Sequence, residues 1–78
     1  MRDEIITEKF GKYIVTLELF EEDGEQRSFC AIESNTGGAS SLGLALDMGF
    51  LEKDNGGEEK ISNSMLSKIE KWALDNGY

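Results

Sequence analysis

Histidine is absent from this chain of 78 residues, and cysteine occurs once. Without imidazole there is no Ser-His or Cys-His catalytic pair, and most zinc and iron sites lose a principal ligand. The lone Cys30 leaves no disulfide framework within the chain, so a reducing, cytoplasmic compartment is the expected one. Cys30 has no adjacent positive cluster in sequence to lower its pKa, and an inert buried thiol is expected rather than a nucleophile. Long apolar runs are missing as well. Nothing approaches the roughly 20 residues that span a bilayer, and MRDEIITEKF carries no signal-peptide core, so no membrane association is expected.

Positive charge is scarce: eight Lys and Arg stand against sixteen Asp and Glu, for a net charge of -8. Such a field opposes contact with phosphate backbones and steers the molecule toward basic surfaces, so no direct nucleic-acid partner is expected. At this length only one modest core can form, which makes residues 1–78 a single small α+β domain and makes a homodimer or a partner a reasonable further source of stability.

What is present reads first as strands. Tyr13, Val15, Leu17 and Leu19 occupy alternate positions with Lys12, Thr16 and Glu18 between them, the pattern of a half-buried strand. RSFCAIES, 27–34, is rich in strand-forming residues, and EEDGEQ between the two carries Gly24 for a bulged hairpin loop. Placing Glu21 opposite Glu25 sets Leu17 against Phe29 and Val15 against Ala31 on one face. The same register sets Ile14 against Ile32 and Thr16 against Cys30 on the other, which makes Ile14, Thr16 and Ile32 a candidate dimer or second interface. EIITEK, 4–9, is expected to add a weaker third strand.

Helical signals follow. ASSLGLALDM, 39–48, is apolar nearly all round and is expected to be a largely buried helix, with Ser40 or Ser41 as its cap and Gly49 as its stop, an alternating strand on the even positions from Leu42 to Phe50 being the competing reading. Met65, Leu66, Ile69, Trp72 and Ala73 form one stripe of a second helix capped by Ser62 or Asn63. Between the helices, Asp54-Asn55-Gly56-Gly57 is a turn that a short ribbon could flank, with charge of the wrong sign for phosphate. ALDMGF, 45–50, returns as ALDNGY, 73–78; the flanking residues differ, so the echo reads as one helix-stop signal used twice. The fold expected is a three-stranded antiparallel meander followed by two helices packed on one face, with a short β-ribbon allowed between them.

Chemistry-bearing patterns are few. NTGGASS, 35–41, has the look of an anion loop, with Thr36, Gly37, Gly38 and Ser40 as its donors, but the Walker pattern needs a Lys where Ala39 and Ser40 stand. Neither run of alternating acids has the glycine and glutamate spacing of a calcium loop, so no metal and no cofactor is expected. The hairpin tip is the most informative stretch: Glu21, Glu22, Asp23 and Glu25 put four carboxylates within five residues, with Glu18 and Phe20 beside them. Like charges crowded there oppose one another, which suits a surface built to meet Arg or Lys on a partner. The function expected is a noncatalytic acidic protein-binding module, an inhibitor, immunity-type or accessory protein engaging a basic surface of a nucleic-acid-handling partner. The alternative is a small-ligand or anion sensor built on loop 35–41. An enzyme is not expected, because no residue here is a tuned acid, base or nucleophile.

Overall fold

The computed structural model describes residues 3–78. Its elements run β1 (Glu4–Phe10), β2 (Tyr13–Glu22), β3 (Glu25–Ser34), β4 (Ala39–Ser41), α1 (Leu42–Met48), β5 (Phe50–Glu52), β6 (Glu58–Lys60) and α2 (Asn63–Asp75). All six strands join one antiparallel sheet in chain order. This overturns the expected three-stranded meander. Residues 39–41, expected to open the first helix, instead form a short strand that pairs with β3 on one side and, through Ala39 and Glu52, with β5 on the other. That bridge draws the charged ribbon into the sheet. A three-residue strand has no periodicity to betray it, and its stability comes from partners on both flanks.

The register of the long hairpin also differs from the expected one. Asp23 and Gly24 both take positive φ, 53° and 79°, as a two-residue turn matched to the strands' twist requires. Glu22 therefore faces Glu25, and the pairs become Val15 with Ile32, Leu17 with Cys30, Thr16 with Ala31 and Ile14 with Glu33. One residue of slip turns every β3 side chain to the other face. Ile32 thus joins the core, fully buried, while Phe29 is left 48% exposed on the outside.

Helix α1 begins where Ser41 Oγ accepts the Leu44 N–H at 3.2 Å, and α2 where Ser62 Oγ accepts the Met65 N–H at 3.2 Å. The echoed stops both use a glycine of positive φ but close differently. Gly49 donates to Ala45 O at 2.8 Å, a single-bond cap, and Phe50 then passes directly into β5. At the second stop, Tyr78 donates to Ala73 O at 2.9 Å and Gly77 to Leu74 O at 3.3 Å, the paired bonds of a Schellman motif. The first helix is less buried than its composition suggests: Leu42 and Ala45 face inward, whereas Leu44, Leu46 and Met48 are exposed.

One core lies between the sheet and the two helices. Val15, Leu17 and Ile32 from the sheet meet Leu42 and Ala45 of α1 and Leu66, Ile69 and Ala73 of α2. Phe10 closes one side against Trp72, ring edge to ring face at 5.7 Å. Both helices sit on this face, so the outward face of β1, β2 and β3 is left uncovered, with Ile5, Ile14 and Phe29 exposed upon it.

Candidate functional site

The β2–β3 hairpin is longer than the layer that supports it. Leu19 is the last residue of β2 packed against the core, beside the end of α2 at Gly77. Beyond it, residues 21 to 27 are all exposed, so the tip stands out as an arm at one end of the sheet. The arm carries Glu21, Glu22, Asp23 and Glu25, and its one cation, Arg27, lies 3.8 Å from Glu22 and 3.7 Å from Glu25. Contacts so long between half-exposed groups contribute little and leave the tip strongly negative. Glu18 and half-buried Phe20 lie on the uncovered face at the arm's root, Phe20 directly opposite Arg27.

Of the three residues expected as a second interface, the structure keeps two together. Ile14 and Thr16 project from the uncovered face, and Ile32 lies on the core side, so Ile32 contributes to no surface. Phe29, Ile5 and Phe20 take its place beside Ile14 as the apolar members of that face. A shallow depression of about 310 Å³ opens there, bordered by Lys9, Lys12, Ile14 and Glu33.

Loop 35–38 joins two strands, not a strand and a helix. It is closed by Ser34 N–H to Gly38 O at 2.7 Å and tied to the β1–β2 turn by Asn35 N–H to Lys12 O at 3.0 Å. Its donors point at a carboxylate that the sequence reading passed over. Glu59, on β6, is 9% exposed and accepts from Ser34 Oγ at 2.5 Å and from the Gly38 N–H at 3.2 Å. Lys12 Nζ lies 3.0 Å away. Thr36 reinforces the group through Ser34 Oγ, 2.8 Å from its own hydroxyl. The Ser34 and Thr36 hydroxyls, followed by the Lys12 ammonium, outweigh burial and hold the Glu59 carboxyl at about 2, well below its ordinary 4.5. The hydrogen bond to Glu59 in turn raises Lys12.

Glycine at 38 is a requirement of this packing, since a Cβ there would stand 2.8 Å from Glu59 Oε1 and 3.0 Å from Leu51 Cβ. Gly37 and Thr36 are exposed, and the Ser40 hydroxyl donates to the Ser41 carbonyl at 3.1 Å. The sequence does hold a signal for Glu59: ribbon pairing sets it opposite the fully buried Leu51, hence pointing inward.

Cys30 is 1% exposed, and burial pushes its thiol up to about 11, so it stays protonated at neutral pH. Among the described residues no three His, Cys, Asp or Glu side chains are grouped to hold a metal ion, and no helix is long and apolar enough to cross a membrane. Comparison of the chain with protein-family models, curated proteins and solved structures gave no match, so its function has to be read from its own residues.

Proposed function

We propose that this chain is a noncatalytic protein-binding module whose acidic hairpin arm engages a basic surface, as a small inhibitor, immunity-type or accessory protein does on a partner that handles nucleic acid. The observation that carries the reading is the arm itself. Four carboxylates project beyond the helical layer on a tight two-residue turn, with a single Arg among them. A hairpin backbone already formed need not be ordered on docking, and rim charges of this kind chiefly raise association rates and set specificity. A phosphate-binding groove lined by Arg and Lys is the complementary surface.

An anion sensor on loop 35–41 has less support. The Gly38 N–H and the Ser34 hydroxyl, which such a ligand would use, already serve Glu59. The arm is tested by a pull-down at low and at high salt with the native chain and with Glu21, Glu22, Asp23 and Glu25 all changed to Lys. Capture that needs the native tip and is lost in salt is the expected result. Equal capture by both forms, or capture indifferent to salt, would show that the acids serve solubility alone.

A further inference from the structure

The uncovered sheet face differs from the rest of the molecule in charge. The chain as a whole carries -8, and Glu22 and Glu25 put two carboxylates on this face at the tip, yet behind that pair the outward positions of β1, β2 and β3 hold two cations, Lys9 and Arg27, and two carboxylates, Glu18 and Glu33. A basic partner drawn to the acidic arm finds no electrostatic reason to settle on this balanced surface. Over these positions a second copy of the same chain meets no excess of like charge, and its net charge is screened beyond about 8 Å at physiological salt.

The placement of these charges favours one arrangement. Outward residues behind the Glu22–Glu25 pair fall in four rows across the strands: Phe20 with Arg27 nearest the tip, then Glu18 with Phe29, then Thr16 with Ala31, then Ile14 with Glu33. We infer that two copies pack these faces together about a twofold axis lying in the plane of the interface, perpendicular to the strands, between the second and third rows. The rotation sets Arg27 over Glu33 of the second copy and Phe20 over its Ile14. It also sets Phe29 over Ala31, a large residue over a small one. Phe20 then enters the depression beside Ile14 described above. Stacked sheets about 10 Å apart with strands aligned within roughly 30° accommodate such contacts.

The acidic arms of the pair point in opposite directions, so their repulsion does not act across the interface. Three strands about 4.8 Å apart and four rows of outward residues give on the order of 400 Å² of plane per copy. That is about half the area per partner of a standard interface, the range of weak and transient association.

Sedimentation of the full chain from low to high micromolar concentration at physiological salt tests the inference. The native chain is expected to pass from monomer to dimer, and Phe29→Lys to remain monomeric. Phe29 is 48% exposed, so that variant should fold; Ile14→Lys is the second variant if it does not. Arg27→Glu and Glu33→Arg should each raise the dimer dissociation constant about 5-fold or more, and the two together should restore it to within about 2-fold of native. A native monomer at high micromolar concentration would overturn the inference, as would a dimer indifferent to both lysine variants. A double variant no better than the single ones would overturn the antiparallel arrangement. The four-residue charge reversal at the tip should leave dimerisation intact, which keeps this result separate from the fate of the proposed arm.

Discussion

Replacing Glu59 by Gln should unsettle the fold more than any other change that preserves side-chain shape. The native carboxylate gathers Ser34 Oγ, the Gly38 N–H and Lys12 Nζ within 3.2 Å. An amide oxygen can keep one of those bonds, but its NH2 then faces donors that have lost their acceptor. A carboxyl held at about 2 against an ordinary 4.5 corresponds to roughly 3 kcal/mol of stability near neutral pH. Lys12 is 42% exposed and its share is screened, which brings the expected loss to about 2 kcal/mol. For a domain of this size that is on the order of 10 °C in Tm.

The loss should also depend on pH in a definite direction. Because the folded-state value lies below the unfolded one, the contribution of Glu59 is complete above about 4.5 and disappears as the pH falls toward about 2. Urea unfolding of native and variant chains, followed through Trp72 fluorescence, reads the difference directly. The two curves should stand apart at neutral pH and converge as Glu59 protonates. A loss below about 0.5 kcal/mol, within the range of an ordinary surface substitution, would refute the reasoning. So would a gap that stays constant from neutral pH down to about pH 2.5.

Two further outcomes check the register and the core. Ile32→Ala should cost about 2 to 4 kcal/mol of unfolding free energy, whereas Ile14→Ala, on the opposite face, should cost well under 1; comparable losses would restore the alternative register. Cys30 should resist a thiol reagent at neutral pH in the native chain and react at the rate of a free thiol once urea unfolds it. Fast labelling of the folded chain would show that β3 or the helices above it open readily.

Much of the fold was legible because its signals are local. Alternation from Tyr13 to Leu19, the stripe from Met65 to Ala73, the Ser62 cap and the glycines at 49 and 77 each act over a few neighbouring residues. The register was lost for an instructive reason. Pairing Glu21 with Glu25 keeps the loop symmetric about Asp23, but Asp-Gly is itself a complete hairpin turn, and honouring it would have moved Ile32 inward. Strand β4 left no such trace, because three residues held by neighbours on both sides carry no pattern of their own. The Glu59 cluster depends on Lys12, Ser34 and Gly38, each brought to β6 by the folded sheet. Of the proposed binding residues, the arm was visible as composition, and the apolar face beside it only after the hairpin register was set.

Strand order in this sheet follows chain order without a crossover, and that has a kinetic consequence. Each strand finds its partner by closing a short loop, so the entropic barrier that slows most β-rich proteins is divided into small steps. The chain contains no proline, so no slow isomerisation can divide the refolding population. The molecule should therefore refold in one fast phase, at the quick end of the range for sheet-containing domains, with the Asp23-Gly24 hairpin as the natural first event.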